Sequence, residues 1–328
     1  MVAVTACGGT TPSPTGSAPY PVKIMVGGLS KQIYLPNKLT QQLGYFKEQK
    51  LDVTLIDELS GVGTEDEVIA GAVDAGSGSY NHTLELQALG KQMETVIQLQ
   101  IAPGEAEMVA TKEAGTIKSA ADLKGKTLGV TELGSGTHTL TLALLGKAGI
   151  SGDQANFVGV GAGDTFIAAI QQGKIDAGMT TEPTISRLIK LGIAQPLVDL
   201  RTPALTRAAL GGDYPFISLW MQTSYVNAHR PIVQRVVNAY VKTLKWIASH
   251  SAAEIADKMP ADYYAGDKAL YVTALAAQKD TFSPDGKMPS SGPDVVAQIE
   301  ANYIKSMKGK TVDLSKTYTN EFVLAATG

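Results

Sequence analysis

The segment LGSGTHTL, residues 133–140, places small polar residues directly before a predicted helix. The first N–H groups of a helix lack partners within it, and its dipole favours negative charge at that end. Ser135 and Thr137, on either side of Gly136, add hydroxyl donors. This pattern predicts an anion site, although the same residues could only cap the helix and form a tight turn. His138 either donates a hydrogen bond to the ligand or only occupies the first helical turn.

Three further polar clusters follow predicted strands. They are Ser30, Lys31 and Gln32; Ser79, Tyr80 and Asn81; and Thr181 and Glu182. Ligands of open parallel sheets bind beyond the carboxyl ends of the strands, so these residues are candidate ligand contacts. The alternatives are a solvated Lys31 side chain and a Tyr80 ring that packs in the core.

Aromatic side chains could instead bind a planar heterocycle by stacking. The candidates are Tyr34, Tyr80, Phe216 and Trp220. Phe216 and Trp220 flank a strand-like connection, where an aromatic ring either lines a binding cleft or belongs to the core.

The sequence gives little support to catalysis, metal binding or nucleic-acid binding. The single cysteine and the spacing of the histidines do not match a metal site: Cys7, His82, His138, His229 and His250. Ser135 and His138 lie three residues apart, but no third member of a triad is evident, and no G-x-S-x-G, P-loop or HExxH motif occurs. A net charge of -3 offers no basic surface for nucleic acid. We therefore expect a binding protein without a cofactor, not an enzyme.

A repeated pattern would position the polar clusters. GAVDAGSGSYN begins at Gly71 and GKIDAGMTTEP at Gly173, and corresponding strand and helix candidates precede each copy. The repeat predicts two βαβαβ units with parallel sheets and right-handed crossovers. Within them, Thr64 and Asp164 are predicted helix N-caps.

The repeated Asp74 and Asp176 invite a reading as paired catalytic carboxylates. Each lies between apolar neighbours at a junction from helix to strand, where an Asp accepts hydrogen bonds from turn N–H groups. We therefore assign both to the scaffold.

The N-terminal segment has the pattern of a lipoprotein. VTAC followed by two glycines fits a lipobox that would make Cys7 a lipidated residue, with a trimmed signal before it. Residues 10–21, TTPSPTGSAPYP, have the composition of a flexible tether. No apolar run is long enough to span a membrane, so an acyl chain would be the anchor.

The chain resembles the type II periplasmic substrate-binding proteins of ABC importers, in the branch for nitrate, alkanesulfonates, taurine and thiamine-pyrimidine precursors. The segments that carry the resemblance are LGYFKEQKLDVTLI (43–56), VIAGAVDAG (68–76), DLKGKTLGV (122–130), AAIQQGKIDAG with TEP (168–183) and HRPIVQRVVNAYVKTLKWI (229–247). It implies an α/β fold of two βαβαβ-based lobes, with two crossover strands near 100–112 and 214–225. We accordingly divide the chain into a signal and tether (1–21), a first lobe (22–110 plus 217–328) and a second lobe (111–216).

The resemblance also implies a function. A monomeric, extracytoplasmic protein would capture a small molecule between the lobes by hinge closure and deliver it to an importer permease. A small organic anion such as a sulfonate or carboxylate is the expected ligand, and a pyrimidine-like heterocycle is the alternative. In this family, Glu182 more often anchors a turn than touches ligand. The same fold resembles fungal thiamine-pyrimidine synthases, which carry a cysteine-rich iron motif that this chain lacks, and ligand-sensing receptor domains.

Overall fold

The structure, a computed structural model, describes residues 18–327. The predicted lipidation site at Cys7 and most of the predicted tether lie outside these residues. The first strand begins at Tyr20, so Tyr20 and Pro21 belong to a sheet and not to the tether.

Within the described residues, ten strands alternate with helices. The strands are β1 Tyr20–Val26, β2 Leu51–Asp57, β3 Ala75–Ser79, β4 Met93–Gln98, β5 Glu105–Ala110, β6 Thr127–Val130, β7 Asn156–Gly159, β8 Ala177–Thr181, β9 Ala194–Asp199 and β10 Ile217–Gln222. The α-helices are α1 Leu35–Gln42, α2 Tyr45–Glu48, α3 Gly61–Ile69, α4 Asn81–Ala88, α5 Gly136–Lys147, α6 Asp164–Gln171, α7 Thr184–Lys190, α8 Pro203–Leu210, α9 Thr223–Ala228, α10 Arg230–Ser249, α11 Ala252–Lys258, α12 Lys268–Gln278, α13 Gly292–Tyr303 and α14 Glu321–Leu324. Short 3₁₀ helices cover Gln32–Tyr34, Ala120–Leu123, Gly152–Gln154, Ala261–Tyr264, Lys279–Thr281, Lys305–Met307 and Leu314–Lys316.

The strands form two five-stranded sheets, in the orders β2-β1-β3-β10-β4 and β7-β6-β8-β5-β9. In each sheet the three strands of one βαβαβ unit are parallel. The predicted α/β fold with two repeated units is therefore confirmed.

The chain passes between the sheets twice. It leaves the first sheet after β4 and enters the second at β5, which is antiparallel to β8 and β9. It returns at β10, which is antiparallel to β3 and β4. Residues 105–110, predicted to belong to the first lobe, belong instead to the second, because β5 pairs on both sides with strands of the second sheet.

The repeated aspartates have equivalent partners. Asp74 accepts a hydrogen bond from Lys23 N at 2.7 Å, and Asp176 accepts one from Thr127 N at 2.8 Å. Both carboxylates therefore bind backbone N–H groups, as predicted, although the donors lie at the neighbouring strand and not in the turn.

Two predicted helix caps are wrong. The side chain of Ser60 accepts from Val62 N and caps α3, so the helix begins before Thr64. Asp164 is the first residue of α6 and Gly163 occupies the cap position. Glycines between 61 and 63 count against a helix in sequence, but burial of the first turn of α3 outweighs that local preference.

The C-terminal helices cover the first sheet and reach the second lobe. The long α10 packs on α1, α2 and β4, while α12 contacts α7 and α13 contacts both α4 and α5. Among the described residues, no helix is long and apolar enough to cross a membrane.

Candidate functional site

The carboxyl ends of the strands in the two sheets meet at a small closed cavity. Its volume is about 20 Å³, which is room for about one water molecule. The lining residues come from both lobes: Lys31, Ile33, Tyr34, Ser60, Gly61, Ser79, His82, Glu105, Thr131, Ser135, Gly136, Thr137 and Phe216. We call this the interlobe cavity.

Hydroxyl groups cluster at the N-terminus of α5. Ser135 Oγ lies 2.7 Å from Thr137 Oγ1, and Thr131 Oγ1 lies 2.9 Å from each of them. Ser135 holds the cap position of the helix but its side chain does not bond the first-turn N–H groups. Those N–H groups and the three hydroxyls therefore form one polar surface that suits a negatively charged or hydrogen-bond-accepting group.

Side chains of the first lobe lie in close contact with this polar surface. A Cβ at Gly136 would lie 2.6 Å from Phe216 Cζ and 2.9 Å from Ser79 Oγ. Any larger residue at 136 would therefore have to displace a first-lobe side chain when the lobes close.

Direct hydrogen bonds also join the lobes. Ser60 donates to Glu132 Oε2 at 2.5 Å, and Gln32 N donates to Glu182 O at 3.0 Å. The structure thus shows the lobes closed on each other, and a small organic ligand would need them to separate before it could enter.

Lys31 carries a buried ammonium beside the cavity. Its Nζ donates to the carbonyl oxygens of Gly27 and Leu59, at 2.7 Å each. Burial lowers the pKa of Lys31 to about 8, and Glu105 opposes this shift. At neutral pH the ammonium adds positive charge to this side of the cavity while it holds two first-lobe loops together.

Glu105 and Glu107 lie on one face of β5, and the sequence analysis did not identify them. Burial raises the pKa of Glu105 well above its usual value, and Lys31 opposes the shift. Glu105 Oε2 is buried without a hydrogen-bond partner. Glu107 accepts from Thr141 Oγ1 at 2.8 Å, and burial raises its pKa to about 8. Two acids two residues apart in an otherwise apolar strand are the sequence signal that could have revealed them.

His82 was also missed as a cavity residue. Its Nδ1 lies 2.5 Å from Glu65 Oε1, and its opposite edge faces Gly61. Burial alone would lower the pKa of His82, but Glu65 and Glu85 together raise it to about 10. An imidazolium therefore faces the cavity. Ser79 ends β3 and His82 lies in the first turn of α4, so the two residues are close in sequence and both line the cavity.

Among the residues predicted from sequence, seven line the interlobe cavity. They are Lys31, Tyr34, Ser79, Ser135, Gly136, Thr137 and Phe216. Ser30 and Glu182, together with Lys31, line an outer cleft of about 550 Å³. The Glu182 carboxylate is buried and accepts from Ser186 and Arg201, so it anchors the start of α7.

The structure does not bring the other candidates to the cavity. Gln32 bonds Tyr271 O and Gln278, Tyr80 Oη bonds Thr317, and Asn81 donates to Glu85. Thr181 Oγ1 lies against Glu182 O, His138 makes an edge-to-face contact with Phe157, and Trp220 packs on Gly76 in the core.

The chain is similar in sequence and structure to several known proteins. A match to the description "NMT1/THI5 like" covers residues 35–253. A protein of Bordetella bronchiseptica RB50 is 35% identical, with a TM-score of 0.87 over 93% of this chain and 96% of that chain. The alkanesulfonate-binding protein SsuA from Xanthomonas axonopodis pv. citri, bound to MOPS, is 19% identical, with a TM-score of 0.71 over 93% of this chain and 99% of that chain.

Two further proteins are similar to the chain, one in structure and one in sequence. The periplasmic nitrate-binding protein NrtA from Synechocystis PCC 6803 has a TM-score of 0.72 at 10% identity, over 94% of this chain and 88% of that chain. A 4-amino-5-hydroxymethyl-2-methylpyrimidine phosphate synthase, THI13 of Saccharomyces cerevisiae, is 30% identical over 45% of this chain, and the match spans 42% of the length of that relative. The predicted periplasmic-binding-protein-like fold is confirmed, and the chain belongs to the NMT1/THI5-like family.

Proposed function

We propose that this protein is an extracytoplasmic solute-binding protein that captures a small organic molecule in the interlobe cavity and delivers it to an ABC importer. The observation that carries the proposal is the convergence of strand-end groups from both lobes on one cavity that the lobes close. A site shared by two lobes binds its ligand more tightly in the closed form, so the ligand itself favours closure.

A small organic anion is the first ligand class. Positive groups surround the interlobe cavity: the Lys31 ammonium, the His82 imidazolium and the N-terminus of α5. The hydroxyls of Ser135 and Thr137 can donate to a sulfonate or carboxylate. Burial raises the pKa of the Glu105 carboxyl, and in its protonated form it can donate as well.

A planar amino-heterocycle is the second ligand class, and Glu105 specifically favours it. A carboxyl group can accept from an exocyclic amino group and donate to the adjacent ring nitrogen at the same time. Oε2 of Glu105 is buried without a partner, so it is free for such a pairing. The rings of Tyr34 and Phe216 line the same cavity and could pack on the heterocycle.

We propose binding and not catalysis. Ser135 Oγ is engaged by Thr131, Thr137 and the carbonyl of Glu132, and the Nδ1 of His138 accepts from Gly134 N. This arrangement supplies Ser135 with no histidine base, which supports a role in ligand recognition.

A thermal-shift panel on the full chain tests the proposal. It should compare alkanesulfonates, taurine, nitrate, aromatic carboxylates and aminopyrimidines. A ligand at a hundredfold excess over its dissociation constant adds about 2.7 kcal/mol of stability, which is a shift of several degrees. Stabilisation by acids alone supports the first class, and stabilisation by aminopyrimidines alone supports the second. No stabilisation by any member would contradict both ligand assignments.

Attachment to a membrane through Cys7 is a separate proposal. It rests on the VTAC pattern, which lies outside the described residues, and on the polar segment after it, most of which does too. Mass spectrometry of the protein expressed behind a complete lipoprotein signal peptide, in a bacterium that processes lipoproteins, should find acyl chains on Cys7. An unmodified cysteine at that position would contradict the anchor without affecting the ligand site.

A further inference from the structure

A buried cluster of ionisable side chains lies behind His82, on the side away from the cavity. Glu65 of α3 and Glu85 of α4 flank the imidazole, and one ligand atom from each of the three residues lies within 4.8 Å of the others. His82 Nδ1 is 2.5 Å from Glu65 Oε1 and 3.9 Å from Glu85 Oε2. The histidine spacing gave no sign of a metal site, because here carboxylates from two helices surround a single histidine.

Glu300 of α13 adds a third carboxyl group. Its side chain is completely buried, and it lies beside Glu85 and Asn81 without a well-formed hydrogen bond to either of its oxygens. Asn81 Oδ1 is likewise buried without a partner. Buried oxygens without partners are costly, so something should satisfy them.

The charges of this cluster do not balance. Glu65, Glu85 and Glu300 supply three carboxyl groups, and His82 can offset only one negative charge. Either a proton stays on Glu300, or a cation takes its place.

We propose that Glu65, His82 and Glu85 bind a divalent metal ion of the zinc or manganese class, with the carboxyl group of Glu300 beside Glu85. One imidazole nitrogen with several carboxylate oxygens is a donor set that these metals accept. Two ligand atoms at about 2.1 Å from a tetrahedral ion lie roughly 3.4 Å apart. The two distances at His82 Nδ1 lie on either side of that value, so small side-chain rotations would complete the geometry.

The position of the site gives the metal access and a structural effect. The side chains of Glu65 and Glu85 are 16% and 21% exposed, so an ion can enter from that side. Bound there, it would tie α3 to α4 within the first lobe. It would replace the proton on Nδ1 of His82 and fix the ring, whose other edge faces the interlobe cavity.

Calorimetric titration of the chelator-treated full chain with zinc sulfate, and separately with manganese chloride, tests this inference. We expect one binding site for at least one of the metals. Glu65→Gln and Glu85→Gln should each weaken it by more than about tenfold. Glu67→Gln is the matched control, because Glu67 is an exposed residue of the same helix as Glu65.

Two control measurements show whether a loss of metal binding comes from the substituted ligand or from unfolding. Circular dichroism should show that the variants are folded, and Ser135→Ala with Thr137→Ala should leave metal binding unchanged, since those residues belong to the ligand cavity. The inference is overturned if neither metal binds, or if Glu85→Gln binds as wild type does. A second result would also overturn it: Glu300→Gln raises the melting temperature of the metal-free protein, while metal does not raise that of the wild type. A proton shared between carboxyl groups would then satisfy the cluster.

Discussion

Glu107 is a single residue that makes the stability of the fold depend on pH. Burial raises the pKa of Glu107 to about 8, so the folded state holds a proton that the unfolded chain releases near pH 4.5. Its contribution is therefore fully present below pH 4.5 and is lost as the pH rises towards 8, by at most about 1.4 kcal/mol per pH unit.

Glu107→Gln should remove this dependence. An amide keeps an acceptor for Thr141 but carries no charge, so the variant should match wild type near pH 4.5 and exceed it in stability near pH 8. Urea unfolding of both proteins across this range measures the difference. A constant difference between wild type and variant at every pH would refute the assigned ionisation.

The size of the side chain at position 136 determines how closely the two lobes can approach each other. Because a Cβ there would lie 2.6 Å from the Phe216 ring, Gly136→Ala should weaken ligand binding by hindering closure while the separate lobes stay folded. The control is Gly115→Ala, where a Cβ meets nothing within 4 Å. If the two variants bind the ligand found by thermal shift with equal affinity, contact between residue 136 and Phe216 does not limit closure of the lobes.

At the scale of elements, the internal repeat made the two parallel units predictable. Each strand and helix of the first half has a partner in the second, and Gly71 and Gly173 end equivalent helices with φ of 71° and 66°. Local sequence did not predict where β5 pairs, since the same strand could join either sheet. Glu105 was missed for that reason: it reaches the cavity only because β5 crosses into the second sheet.

The sequence also did not predict the directions in which side chains point at the strand ends. The sequence places Tyr80, Asn81 and His82 together after β3, but the turn into α4 sends Tyr80 to the core and His82 to the cavity. The polar residues before α5 were easier to predict as cavity residues. Residues at a helix cap face the end of the helix, whatever the direction of the preceding loop.

The equivalent aspartates predict a difference in stability between their elements. Asp176→Ala should destabilise the protein by about 1–3 kcal/mol, since Thr127 N loses its partner in a partly buried place. Asp74→Ala should cost less, because the bond to Lys23 N is exposed to water. Denaturant unfolding of both variants measures this order, and a larger loss for Asp74→Ala would contradict the account.

At the scale of the whole molecule, both lobes contribute residues to the interlobe cavity. The first lobe supplies Lys31 and His82, and Phe216 joins them, because its carbonyl accepts from Tyr80 N although the sequence placed it in the second lobe. The second lobe supplies Glu105 and the N-terminus of α5. Neither set surrounds a small molecule alone. A cavity of about 20 Å³ is too small for any ligand in the panel, so binding must include an open form whose lobes move apart.

The central claim is that the interlobe cavity, with the hydroxyls at the start of α5, is the ligand site. The most direct test is calorimetry of the stabilising ligand with wild type and with the double variant Ser135→Ala and Thr137→Ala. For an anionic ligand, the loss of two donors should weaken binding by more than about tenfold while the melting temperature without ligand changes little. An unchanged affinity in a folded double variant would contradict the claim and place the ligand elsewhere on the protein.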